Sequence, residues 1–258
     1  MAPPVLLEAS ATVLESPEHG PQLCLGGVAT SLPPQCGGPD LIGWDWARVE
    51  GEEAFGGTIW GVYRVVGMYA DGFFTLTEPP GPPQLEEPES IDFTSPCPPP
   101  EGGWTVRVPA LATDQAMEAA NAYAQSQPDY GGLWLDQSIN PAATSTDHSV
   151  LESQMNDPTK LILNVRFTED LEAHEAELLR LWGGALCVSL AERTEQELIR
   201  IQNEVSGPGS LWSSTDIVEG RVDLGVVFDD GTLQTEYDAK YGAGVVRVVS
   251  ALKPVANG

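Results

Sequence analysis

The chain has 258 residues, 41% of them apolar, enough for one large or two ordinary domains with real cores, which excludes disorder throughout. Its 38 Asp and Glu against 12 Lys and Arg leave a net charge of -26. That field repels phosphate backbones and anionic headgroups, so nucleic acid and a bare membrane surface are poor partners, while a cation, a basic protein segment or a neutral sugar remains. No apolar run approaches the ~18 residues of a transmembrane helix.

The N-terminus, MAPPVLLEAS, lacks the basic start and apolar stretch of a signal peptide, so the chain reads as cytoplasmic or as a mature segment, a choice left to the cysteines. VLLEASATVLE mixes apolar and small residues at period two and predicts a strand. In YRVVGMYADGFFTLTE, Ala70-Asp71-Gly72 separates two β-rich runs as a hairpin signal. Short strands, glycine turns and no helical period predict a small all-β, barrel-like domain over 1–77, the oligonucleotide-binding type of barrel being one candidate. Its charge argues against an oligonucleotide ligand. Residues 78–103 hold nine prolines and six acidic residues, so no helix or central strand can cross them. They form a linker or an extended strap.

Residues 104–258 alternate between periods. TDQAMEAANAYAQ predicts a helix capped by Thr113, with Met117, Ala120 and Tyr123 or Ala124 on one face. LILNVRFT predicts a strand, and DLEAHEAELLRLW a helix with Leu171, Leu178, Leu179 and Trp182 in a stripe. ALCVSL is a strand. TEQELIRIQNEV is a helix with Thr194 and Glu197 at capping-box spacing and Leu198, Ile201 and Val205 facing inward. RVDLGVVFDD is a strand, TLQTEYDAKYG a short helix and VVRVVSALKPV a final strand. This βαβαβαβ order predicts an α/β-plait-like sandwich with one sheet and helices on one face, making the whole chain α+β.

The four cysteines, Cys24, Cys36, Cys97 and Cys187, lack the close C-x-x-C pairs of a zinc site, and His19, His148 and His174 are scattered. Disulfides fit better. Between Cys24 and Cys36, Pro33 and Pro34 with Gly37-Gly38 just outside supply the turn chemistry for doubling back, and closing that loop contributes about 3 kcal/mol on a chain-entropy estimate. Cys97 and Cys187 remain as the second pair, tying the strap to a later strand. Disulfides favour an extracytoplasmic setting over the cytoplasmic alternative.

The combination HGPQLCLGGVATSLPPQCGGPDLIGWDW, YGGLWLDQ, LILNVRFTEDLEAHEAELLRLWGGALCVS and YGAGVVRVVSALKP resembles a group of bacterial secreted or lipid-anchored envelope proteins. The resemblance spans most of the chain and implies export, with no activity to carry over.

Catalytic patterns are weak. His174-Glu175 fails the H-E-x-x-H metalloprotease pattern because position 178 is Leu, and there is no G-x-S-x-G elbow. Asp129, Asp136, Asp229 and Asp230 flank strand ends, where carboxylates serve glycoside hydrolysis or calcium, although Asp229-Asp230-Gly231 reads more simply as a turn before a helix. Trp44 and Trp46 stand two apart and face one side of a strand, with Asp45 between them. Exposed, they would stack on sugars or anchor a protein; buried, they supply a small core. The expectation is a non-enzymatic extracytoplasmic binding or interaction module with a protein or envelope-component partner, no cofactor and no metal. Its candidate surface comprises Trp44, Asp45, Trp46, Pro33 and Pro34. The alternatives are a hydrolase for a carbohydrate or ester using Asp129, Asp136 and Asp229, and a carbohydrate-binding module using Trp44 and Trp46.

Overall fold

The computed structural model describes residues 5–84, 90–155 and 157–255. Among them the protein is α+β, with thirteen strands in three sheets and five α-helices. Two compact units emerge, and neither is contiguous. The first comprises Met1–Pro88, Val205–Ser214 and Asp223–Gly258, the second Glu89–Glu204 and Thr215–Val222. The expected domains are 1–77 and 104–258, joined by the strap over 78–103. Two segments of the expected C-terminal domain, Val205–Ser214 and Asp223–Gly258, cluster instead with the first unit, because sheet partners are chosen by side-chain complementarity across strands and not by nearness in the chain.

The first unit opens with β1 (Leu7–Ser16), β2 (His19–Cys24), β3 (Asp40–Ile42), β4 (Glu53–Phe55), β5 (Thr58–Ala70) and β6 (Phe73–Leu76). β1 pairs antiparallel with β5 from Leu7 opposite Gly67 to Glu15 opposite Ile59. Its other edge takes β2. β2 pairs with β3, β3 runs parallel to β6, and β6 pairs with β5. The pairing therefore runs β1, β2, β3, β6, β5 and back to β1. Period-two alternation sends Leu7, Ala9, Ala11 and Val13 of β1 to the core with Tyr63 and Val65 of β5, Leu23 of β2, Leu41 of β3 and Phe74 of β6. Large faces small across the ladder, with Ala11 opposite Tyr63 and Val13 opposite Gly61. A Cβ at Gly61 would stand 2.5 Å from the Tyr63 hydroxyl, so the phenol occupies the space that glycine leaves. Asp71 and Gly72 join β5 to β6 with φ of 51° and 83°, the pair of left-handed residues that a two-residue hairpin turn requires.

The second unit contains α1 (Asp114–Gln125), β7 (Tyr130–Asp136), α2 (His148–Gln154), β8 (Ile162–Phe167), α3 (Leu171–Leu181), β9 (Ala185–Leu190) and most of α4 (Glu195–Val205). Thr113 caps α1 by accepting from the Ala116 amide at 3.2 Å. The buried stripe of α1 is Ala116, Ala120 and Ala124, with Met117 and Tyr123 at its margin. Small residues let α1 approach α3 closely. In α3 the buried positions are His174 and Leu178, while Trp182 is buried just past the helix end. These side chains cover one face of a sheet ordered β7-β8-β9, through Leu163, Val165 and Phe167. The opposite face, with Ile162, Ala185 and Cys187, packs against Cys97 of the proline-rich strap and Trp104 just past its end.

β10 (Ser210–Asp216), β11 (Arg221–Val226), α5 (Thr232–Tyr241), β12 (Val246–Ser250) and β13 (Lys253–Pro254) complete the chain. β13 pairs with Leu7 and Glu8 of β1. The remaining three strands form their own sheet, ordered β10-β11-β12. The expected single plait-like sheet is thus replaced by two three-stranded ones. The pattern of β7 and β10 is weak in sequence: SSTD in β10 lacks apolar alternation, and the Gly131-Gly132 pair interrupts β7 with a register shift. No helix among the described residues is long and apolar enough to cross a membrane.

Candidate functional site

The four cysteines form two disulfides, Cys24–Cys36 and Cys97–Cys187, with Cα separations of 5.6 and 5.8 Å. Both fit an oxidising, extracytoplasmic setting. The first closes the connection from β2 to β3. Within it Ala29 donates to the Gln35 carbonyl at 2.8 Å and Ser31 Oγ to the Pro33 carbonyl at 2.9 Å, so the chain doubles back at Leu32. Pro33 and Pro34 are half-buried, and Leu32 beside them is 67% exposed. Gly38 passes so close to β2 that a Cβ there would lie 1.9 Å from the Leu23 carbonyl oxygen.

Trp44, Asp45 and Trp46 are not on a strand. After β3 the chain bends at Gly43, and the Asp45 carboxylate accepts from the Ala47 amide at 3.0 Å, capping a short 3-10 helix over Trp46–Arg48. Capping chemistry therefore wins over the period-two reading, because an aspartate preceding free amides satisfies them locally. Both indoles still turn to the same side. Their ring centroids lie 5.2 Å apart and 5.1 and 6.3 Å from Tyr63, at interplanar angles of 61° to 77°. Trp46 Nε1 donates to Glu15 at 2.6 Å. Trp44 Nε1 and the Tyr63 hydroxyl are buried without a hydrogen-bond partner among the described residues. Burial, and secondarily the Glu52 charge, raise the Tyr63 pKa above the usual phenol value. Edge-on, half-buried rings plug a core; they do not present the open, flat faces on which a sugar stacks.

Two clefts adjoin this strand circuit. One of about 660 Å³ is lined by Glu8, Ser10, Cys24, Arg64, Gln84 and Lys253 among others. Within it Arg64 Nε donates to Glu8 at 2.8 Å, so much of its charge is matched. The other, of about 480 Å³, is lined by Asp45, Arg48, Leu76, Glu78, Pro79 and Pro80 with Gly43 and Thr77.

The aspartates singled out from sequence each do a local task. Asp229 accepts from the Leu233 and Gln234 amides, and Asp230 from the Thr232 amide, at the start of α5. Thr232 accordingly holds the Asp230 pKa below the ordinary carboxylate value. Asp136, at the end of β7, is buried and accepts from the Ser95 amide and hydroxyl and the Ser138 amide. Desolvation pushes its pKa up, but the hydrogen bonds from Ser138 and Ser95 outweigh it, and the net direction is down. Asp129 stands at the opposite end of the same strand. Seven residues at ~3.3 Å each place the two roughly 20 Å apart along β7, beyond the ~5–9.5 Å of paired glycosidase carboxylates.

Asp129 meets a partner that sequence reasoning missed. His174 Nε2 lies 2.9 Å from its Oδ2, and the Tyr123 hydroxyl lies 2.9 Å from Nδ1. A carboxylate only accepts, so Nε2–H donates to Asp129; in the neutral ring Tyr123 then donates to Nδ1. The imidazole stacks on Phe167 with centroids 3.9 Å apart. Acid, imidazole and hydroxyl follow the order of a catalytic triad. The hydroxyl here is a phenol whose pKa is raised by burial and by Glu177 and Asp129, and neither cleft above is lined by it. The arrangement fastens α1 and α3 to the start of β7. Its signal was present in the helix spacing, since position 174 falls on the stripe of Leu171 and Leu178 and an inward histidine must find partners. Of the other histidines, His19 is bonded to the Gly20 carbonyl and His148 opens α2. No protein-family model matches the chain, and no curated protein matches it.

Proposed function

We propose that this protein is a non-enzymatic extracytoplasmic binding or interaction module of a bacterial cell envelope. The observation that carries the reading is the closed pairing circuit of β1, β2, β3, β6 and β5, antiparallel except between β3 and β6. We read it as a small closed barrel of the oligonucleotide- and oligosaccharide-binding type, whose ligands lie on the face of its second and third strands and the adjoining turns. That is an analogy of fold, and the charge of -26 turns it away from nucleic acid. The two disulfides support the extracytoplasmic setting, and the resemblance to secreted and lipid-anchored envelope proteins supports the envelope.

The hydrolase reading loses support because Asp129, Asp136 and Asp229 are engaged by His174, by Ser95 and Ser138, and by the amides of α5. The carbohydrate reading on Trp44 and Trp46 loses support because the indoles pack edge-on against Tyr63. The test is to incubate the oxidised protein with soluble glycans, peptidoglycan fragments, and basic and acidic peptides, monitoring tryptophan fluorescence and turnover of chromogenic glycosides and esters. Saturable binding without turnover is expected. Turnover abolished by Asp129→Asn, Asp136→Asn or Asp229→Asn would replace this reading with the hydrolase.

A further inference from the structure

The strand registers define which residues of the first unit point outward together. Asp40 of β3 stands opposite Phe73 of β6, which stands opposite Ala70 of β5; Ile42 stands opposite Thr75, and Thr75 opposite Met68. Between these two rows lies the row of Leu41, Phe74 and Tyr69, which faces the core. The two flanking rows therefore share the outer face. An outer face of this kind is ordinarily polar. Here Ile42 is 47% exposed and Phe73 44%, diagonal neighbours across β3 and β6, with Met68 half-exposed beside Thr75. Single exposed apolar residues need no explanation, but these adjoin across three strands.

The charge around them is mostly acidic, Arg48 in the cleft beside Gly43 and Leu76 being accompanied by Asp45 and Glu78. The first Lys or Arg in the chain is Arg48, and none occurs between Arg64 and Arg107, so β1, β2, β3 and β6 carry no lysine or arginine. Asp40 lies on the face itself, and the exposed Asp71 lies in the turn leading into Phe73. The Asp40 carboxylate accepts from Gln22 Nε2 at 2.9 Å, which orders it and leaves its charge unmatched by a cation in that bond.

We infer that this outer face of β3, β6 and the end of β5 docks a cationic, partly apolar polypeptide segment of a partner protein. Ile42 and Phe73 take its apolar side chains, and Asp40 and Asp71 attract its lysines or arginines. The inference rests on the interaction-module reading and gives that module a surface and a partner class. Charge complementarity selects the occupant. Phosphate-bearing ligands meet a field of the wrong sign, and a glycan finds one aromatic ring beside a branched aliphatic residue, not a stacking platform. A bare cation would find no group of three or more ligating side chains among the described residues.

The experiment uses the full oxidised chain and fluorescein-labelled peptides of alternating lysine and leucine, twelve residues long in order of magnitude, with the glutamate-leucine counterpart and a soluble β-glucan as the other probes. Anisotropy gives affinity, and amide chemical shifts give location. The lysine peptide is expected to bind with shifts centred on β3 and β6, to weaken several-fold with rising salt, and to lose about tenfold in affinity in the double variant Ile42→Ser, Phe73→Ser. Val62→Ser, at an equally exposed apolar position on β5 (48%), is expected to leave binding unchanged. Binding that ignores the double variant, or shifts centred elsewhere, overturns the docking face while leaving an interaction module. Shifts on the same face from the β-glucan alone overturn the partner class. No binding of any probe overturns the inference and the module reading together.

Discussion

The two units of this protein use a disulfide in opposite ways. In the first unit Cys24 and Cys36 are 12 residues apart and close one connection of a strand circuit whose large-on-small ladder, Tyr63 against Ala11 and Val13 against Gly61, already sets its core. In the second unit Cys97 and Cys187 are 90 residues apart and join a strap to the face of β8 and β9 opposite the helices. That face needs the strap. Proline-rich chain cannot add a strand, so side-chain contacts of Cys97 and Trp104 must cover Ile162 and Ala185. A local staple trims a loop, whereas a long-range one recruits an otherwise extended segment into a core.

The sharpest way to break this contrast is to remove each bridge separately. Replacing Cys97 and Cys187 by serine is expected to destabilise by about 4–5 kcal/mol, against about 3 kcal/mol for Cys24 and Cys36, on loop-closure entropy alone. Denaturant melts of the oxidised variants measure both. Equal losses would show that the strap adds nothing beyond a short loop. A smaller effect is expected inside the first unit. Gly61→Ala places a methyl 2.5 Å from the Tyr63 hydroxyl and should cost about 1–3 kcal/mol by overpacking, without altering either disulfide. A thermal melt unchanged from the parent would mean the ring finds another seat.

The smallest effect concerns pH in the second unit. The Asp136 pKa is lowered on folding, so its contribution is fully present above the unfolded value of ~3.9 and is lost as pH falls through the folded one. Stability should therefore decline on acidification more steeply in the parent than in Asp136→Asn, and the two curves should converge at low pH. Parallel curves would remove the Ser95 and Ser138 hydrogen bonds from the account. Because Ser95 belongs to the strap, the same titration repeated without the Cys97–Cys187 bridge reports whether the bridge holds that contact.

What the sequence by itself determined was whatever depends on neighbours in the chain. The β-rich run before Ala70, the Asp71-Gly72 turn, the Thr113 cap and the inward Leu198, Ile201 and Val205 all follow from local propensity, sterics and amphipathic spacing. The charge that disfavours phosphate ligands is likewise a property of composition. The tertiary structure decided everything that depends on distant partners. It placed β13 beside β1, split the expected single sheet into two, and turned Trp44 and Trp46 onto Tyr63 from a capped 3-10 turn. It also joined Asp129 to His174 across 45 residues. Side-chain periodicity states which face a residue presents, but not which surface meets it. That is set by the burial of apolar area and the pairing of buried polar groups over the whole fold, which no window of sequence contains.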